Sequence, residues 1–156
     1  MSNKSKALNL TDYYPYRLAV LSHEVSKAFA PLYQQRFELT RQEWLVLAAL
    51  GEHANMSCKE ITEYSTLEKM QVSRAIKSMI KKSLVEHIDS KQDRREKRVK
   101  LSRNGAQVYQ EIVPLALARE EFILSSLSAK EIKLFDNVID RLLGKARKLQ
   151  EGIEAG

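Results

Sequence analysis

The chain has 156 residues and a formal net charge of +6, from 26 Lys and Arg against 20 Asp and Glu. Hydrophobic residues make up 44% and charged residues 29%, which excludes intrinsic disorder and fits one domain or two small lobes sharing a core. Only five glycines, at 51, 105, 144, 152 and 156, leave no G-x-G-x-x-G or P-loop cradle for phosphate, and a lone Cys58 excludes an internal disulfide framework and a multi-cysteine zinc site.

No apolar run approaches the roughly 18 residues of a membrane span. The N-terminal Met1-Ser-Asn-Lys-Ser-Lys lacks the apolar core of a signal peptide, so a cytoplasmic location is expected. The charge is uneven along the chain. Residues 57–103 hold 13 basic and 7 acidic side chains, whereas the remainder holds 13 of each. Residues 69–103 alone carry 12 basic and 4 acidic side chains, a net +8. A basic segment between neutral flanks is a footprint for a polyanion, although a solvated basic face without a partner has the same charge.

Ser/Thr-x-x-Glu marks a helix start, because the hydroxyl and the carboxylate each satisfy an orphan backbone N–H. The pattern occurs at Thr40/Glu43, Ser57/Glu60, Ser65/Glu68 and Ser128/Glu131. The first helix is predicted to start near Pro15, with Leu18, Leu21, Val25, Ala28 and Leu32 at helical spacing. Pro31 is expected to kink or end it. A second helix follows Thr40, carries Trp44, Leu47 and Ala48 on one face, and has Gly51 near its end. A short helix from Ser57 to about Tyr64 and a longer one capped by Ser65 and reaching Lys82 are nearly contiguous, which is the layout of a helix-turn-helix.

On that longer helix Val72, Ile76, Met79 and Ile80 form the inward stripe. Lys69, Ser73, Arg74, Lys77 and Lys81 point outward, with no acid between Lys69 and Lys82. Two β-prone runs, Leu84–Ile88 and Lys97–Leu101, flank a polar loop over 89–96 and read as a wing. The last third is helical from about Asn104, with Pro114 expected to bend it. The final helix follows Ser128 and repeats Ile132, Phe135, Ile139, Leu142, Ala146 and Leu149 as a/d positions over nearly three heptads, the pattern of a helix–helix seam.

The expected fold is mainly α with a small β-hairpin wing. A winged helix-turn-helix lobe over residues 39–103 is inserted between helical dimerisation regions at 1–38 and 104–156. Leu18, Leu21, Ile132, Phe135, Ile139 and Leu142 are the candidate homodimer interface; burial within one monomer is the alternative. The expected partner is double-stranded DNA. In the recognition helix Gln71 is suited to pair a bidentate amide with adenine, and Lys69 to donate to guanine. Ser73, Arg74 and Lys77 follow one turn later, and Ser65 and Thr66 suit phosphate contact at the helix start. In the wing, Asp93, Arg94, Arg95 and Lys97 are candidates for DNA. Arg suits a narrow, negative minor groove, and Asp93 is placed to orient a guanidinium, or else to form a simple loop ion pair.

The ordered set Asp12-Tyr-Tyr-Pro-Tyr-Arg17, Thr40-Arg-Gln-Glu-Trp-Leu-Val-Leu47, Val72-Ser-Arg74, Asp93-Arg-Arg95 and Leu101-Ser-Arg-Asn-Gly105 resembles the MarR family of bacterial transcription regulators over nearly the whole chain. The resemblance implies an obligate homodimer on a pseudo-palindromic operator, commonly a repressor released by a small phenolic or aromatic-acid ligand. The family's Asp-x-Arg wing motif falls on Asp93 and Arg95. The chain departs from the pattern at Pro31, and at Glu96-Lys97, where many relatives carry more arginine. The family's effector pocket lies between the dimer helices and the DNA-binding lobe. Tyr13, Tyr14, Arg17, His23 and Trp44 fit it by type, as aromatic walls and a cation for an acid, and fit interface or core packing equally well.

His53 and His87 read as surface or packing residues. Cys58 falls in the first turn of a helix, where the dipole lowers a thiol pKa, so a redox-responsive regulator stands beside a small packing residue. A non-enzymatic basic interaction module for acidic protein or RNA is a further alternative. No enzyme is expected: the sequence holds no G-x-S-x-G, no H-E-x-x-H and no clustered carboxylates on one face. No cofactor or metal is implied.

Overall fold

The computed structural model describes residues 7–88 and 97–154. They form two compact units that divide between Ala116 and Leu117.

The first unit opens with a short 3-10 turn, Leu10–Asp12, and α1, Tyr14–Gln35. Pro15 lies in the first turn of α1, where a missing N–H removes no helical bond. Pro31, expected to kink or end the helix, does not end it. It is exposed, and the next two residues, Leu32 and Tyr33, are buried in the core. Packing of that last turn outweighs the one hydrogen bond proline removes. Helix α2, Arg41–Glu52, starts at a complete capping box: Glu43 N–H donates to Thr40 Oγ1 (3.1 Å) and Thr40 N–H to Glu43 Oε2 (2.9 Å). A two-residue strand β1, Met56–Ser57, leads into α3, Cys58–Tyr64, whose box is Ser57 and Glu60.

Helix α4, Lys69–Lys81, begins one turn later than its sequence signal suggested. Ser65 is the C-cap of α3 and not the N-cap of α4; its Oγ accepts from Leu67 N–H at 3.3 Å. The reason is burial. Leu67 is 5% exposed, and an extended Ser65–Glu68 link carries it into the core before α4 starts. The helix ends in a Schellman motif. Leu84 N–H donates to Met79 O, Ser83 N–H donates to Ile80 O, and Ser83 takes φ 58°.

Strands β2, Val85–Ile88, and β3, Arg98–Leu101, pair antiparallel with Val85 opposite Leu101 and His87 opposite Val99. β1 adds to the other edge of β3, with Met56 opposite Val99, so the sheet order is β1-β3-β2. β1 carries no signal in the sequence, because two residues cannot show a period-2 pattern. The core gathers Leu47 and Val46 of α2, Ile61 of α3, Val72 and Met79 of α4, Val99 of β3, and Ile112 of α5, Arg103–Leu124. α5 runs through exposed Pro114. Near its start, a Cβ on Gly105 would stand 1.9 Å from the Leu84 carbonyl oxygen, so only glycine allows this approach to the end of α4.

The second unit contains the end of α5 and α6, Ala129–Glu154. Ser128 and Glu131 cap α6, with Glu131 N–H on Ser128 Oγ (3.3 Å) and Ser128 N–H on Glu131 Oε2 (2.7 Å). Phe135, Ile139, Leu142 and Leu149 of the heptad stripe are all exposed within the chain. No described helix is long and apolar enough to cross a membrane.

Candidate nucleic-acid interface

Helix α4 divides cleanly into a packed face and a free one. Val72, Ala75, Ile76 and Met79 are buried. Lys69, Gln71, Arg74 and Lys77 are exposed, and Ser73 is half-buried at the margin. Lys69, Arg74 and Lys77 form no ion pair with any described residue. A cationic stripe with its charges uncompensated is a surface that gains from meeting a polyanion. Thr66 is exposed and Ser65 half-buried in the link that precedes the helix.

Two polar assemblies brace the fold, and the first holds this helix in place. The first is centred on Glu43, only 2% exposed. Besides capping α2, its carboxylate accepts from Ser78 Oγ (2.6 Å) and Lys82 Nζ (2.8 Å), both in the C-terminal part of the α4 segment. Lys82 Nζ also donates to Glu38 O at 2.8 Å. Burial pushes the Glu43 carboxyl up, but the bonds from Lys82, Ser78 and Thr40 together outweigh it and hold the group below its ordinary range. The sequence marked Glu43 as a cap and missed this second role. No local spacing links position 43 to positions 78 and 82.

The second assembly ties the sheet to α3. Arg98 of β3 donates from Nε to Asn55 Oδ1, from Nη2 to Asn55 O (3.2 Å), and from Nη2 to Glu60 Oε2 (2.8 Å). The Ser57 backbone N–H and the Arg98 guanidinium both lower the Glu60 carboxyl below its ordinary value. Arg98 therefore spends its charge inside the fold. Lys97, next to it, is exposed. Asp93, Arg94 and Arg95 lie outside the described residues.

The start of α4 carries its own cap. Glu68 is the N-cap, and its N–H donates to Gln71 Oε1 at 3.0 Å. Gln71, Arg74, Ala75 and Ser78 line one side of an open hollow of about 360 Å³, and Thr40, Gln42 and Glu43 line the other. This hollow joins the start of α2 to the cationic face.

The candidate effector residues are distributed differently. Tyr14 is exposed, with the Arg17 guanidinium 5.2 Å from its ring centroid. Tyr13 ends the 3-10 turn and, through its carbonyl, accepts Arg17 N–H at 3.1 Å. His23 is exposed further along α1, and half-buried Trp44 packs against the core from α2. Tyr14 and Arg17 meet, whereas Trp44 belongs to the core. Cys58 is a free, half-buried thiol in the first turn of α3. His53 holds Ala49 O through Nδ1 (3.1 Å) and meets the Tyr64 ring edge-on at 5.0 Å, a packing role.

Comparison with known proteins agrees with this geometry. The family model of a winged helix DNA-binding domain matches residues 39–105. The organic hydroperoxide resistance transcriptional regulator of Bacillus subtilis is 25% identical over 115 residues, 74% of this chain and 78% of that protein. Among solved structures, a MarR family transcriptional regulator from Silicibacter pomeroyi DSS-3 is 27% identical, with a TM-score of 0.73 over 87% of this chain and 99% of its own. A MarR/EmrR family regulator from Acinetobacter sp. ADP1 superposes with a TM-score of 0.83 at 21% identity, over 90% of this chain and 99% of its own.

Proposed function

We propose that this chain is a winged helix-turn-helix transcriptional regulator of the MarR family and not an enzyme, and that it acts as a cytoplasmic homodimer that represses transcription from a pseudo-palindromic operator and is released by a small phenolic or aromatic acid. One observation carries the reading. The cationic face of α4 is exposed and, among the described residues, forms no ion pair, while the Glu43 assembly ties the helix to α2. In this reading residues 39–103 are the DNA-reading lobe. Lys69, Gln71, Ser73, Arg74 and Lys77 face the major groove, Ser65 and Thr66 face phosphates, and Asp93, Arg94, Arg95 and Lys97 form the wing contact.

Dimerisation through residues 1–38 and 104–156 is supported by exposed apolar surface. Leu18 and Leu21 of α1 are each about half exposed, and α6 contributes Phe135, Ile139 and Leu142 with partly covered Ile132. A 26-residue helix with no buried residue among those described has little to stabilise it until a second copy covers the stripe. The fold supports both partners in a general way. It is shared with MepR of Staphylococcus aureus, solved as a DNA complex, and with NadR, solved with 4-hydroxyphenylacetate. Tyr13, Tyr14, Arg17, His23 and Trp44 are the residues proposed for an aromatic acid.

Titration with duplex DNA across a salt series tests the reading. Binding is expected to weaken steeply, with a log–log slope of about −0.9 per phosphate neutralised. A flat response would count against a DNA-binding face. Repeating the titration with added phenolic acids tests release.

A further inference from the structure

We propose that Gln71 reads a base in the major groove as a hydrogen-bond donor only, because its carbonyl oxygen is already committed to capping its own helix. The proposal rests on the DNA-binding reading above and gives it a chemical preference.

Glutamine has an acceptor oxygen and a donor NH2, and the bidentate pairing with adenine needs both. Glu68 N–H donates to Gln71 Oε1 at 3.0 Å. A backbone N–H can only meet the oxygen, so the bond fixes which way round the amide lies. The NH2 group of this exposed side chain stays available. Freeing the oxygen would leave the Glu68 N–H, one of the first orphan donors of α4, without its protein acceptor.

The consequence follows from the pattern of base edges. Guanine presents two acceptors, N7 and O6, and thymine presents O4. Adenine pairs its N7 acceptor with an N6 donor that would find no oxygen to meet. Cytosine presents only its N4 donor, against which the Gln71 NH2 has nothing to accept with. Gln71 therefore selects guanine or thymine and rejects cytosine at the base it faces.

The substitution Gln71→Glu separates this from a structural role. A carboxylate still accepts from Glu68 N–H, so the cap survives, but the outward group is now an acceptor. Selection of bound duplexes from a random pool, run side by side with wild type, Gln71→Glu and Gln71→Ala, reads the difference. Wild type is expected to enrich guanine or thymine at one position in each half-site. Gln71→Glu should shift that position to cytosine by about tenfold, and Gln71→Ala should leave it unselective. The added negative charge lowers affinity on every sequence, so base preference is the readout. Enrichment of adenine by wild type, or one unchanged base across all three proteins, overturns the proposal. Failure of the wild type to enrich any sequence overturns the DNA-reading interpretation itself, and the proposal with it.

Discussion

Lys82 reaches back across the fold to Glu43, its ammonium 2.8 Å from a carboxylate that is almost completely buried. The pair joins the end of α4 to the start of α2, and Ser78 adds a second bond to the same carboxylate. Removing one partner of such a pair strands the other. Lys82→Met is expected to cost about 1–3 kcal/mol, towards the lower end because the Lys82 side chain is 39% exposed and so partly solvated. Urea unfolding at neutral pH measures it. A change within a few tenths of a kcal/mol would show that Ser78 and Thr40 alone satisfy Glu43.

The same group sets an acid sensitivity. The Glu43 carboxyl titrates below its ordinary value of 4.5 in the folded chain. A carboxyl depressed by folding contributes stability that is complete above the unfolded value and is lost as pH falls through the folded one. Stability is therefore expected to be level from neutral pH to about 5 and to decline below the ordinary glutamate range. Glu60 and Glu131 are also depressed, so the decline is shared. Glu43→Gln should make the acid limb shallower while lowering stability at pH 7. Equal slopes in wild type and variant, read from denaturant midpoints between pH 3 and 7, would remove Glu43 from the account.

How far the sequence predicts this architecture depends on the range of the interaction. Three of the four Ser/Thr-x-x-Glu signals open helices, at Thr40, Ser57 and Ser128, because a capping box is complete within four residues. The fourth, Ser65, yields to the burial of Leu67, a tertiary demand that no local pattern expresses. The inward and outward stripes of α4 were legible from the 3.6-residue period. The Glu43–Ser78–Lys82 and Asn55–Glu60–Arg98 assemblies were not, since each closes only when distant segments meet. Arg98 lies in the second β-prone run of the wing, yet its bonds turn it towards Asn55 and Glu60. Prolines 31 and 114 both lie inside a helix at exposed positions, and buried neighbours carry the helix past each ring.

The exposed stripe of α6 gives the proposed dimer its test. Leu142 is half exposed in the single chain and lies in the middle of the heptad series. Its neighbourhood also holds Arg141, Lys145 and Lys148 beside Val138, so the apolar row has a basic border. Leu142→Asp would place a carboxylate within a seam covered by a second copy. Sedimentation velocity is expected to show the dimer lost, or the protein unfolded by circular dichroism at the same concentration. Because Leu142 is not buried within its own chain, a variant that stays a folded dimer would place the seam elsewhere.

Two arginines of the wing region have different expected tasks. Arg98 is held by Asn55 and Glu60, so Arg98→Ala should loosen the sheet from α3 and cost about 1–2 kcal/mol of stability. Arg98→Lys should recover little, since one ammonium cannot reproduce the fork that meets an amide, a carbonyl and a carboxylate together. Arg95, from the Asp-x-Arg pattern, is proposed to act on DNA. Arg95→Ala and Asp93→Ala are expected to weaken operator binding, and to leave the unfolding midpoint and the dimer unchanged. Binding titrations and urea melts on the same four variants separate the two tasks. If Arg95→Ala lowers stability as much as Arg98→Ala and leaves operator affinity intact, the division is wrong and both residues belong to the scaffold.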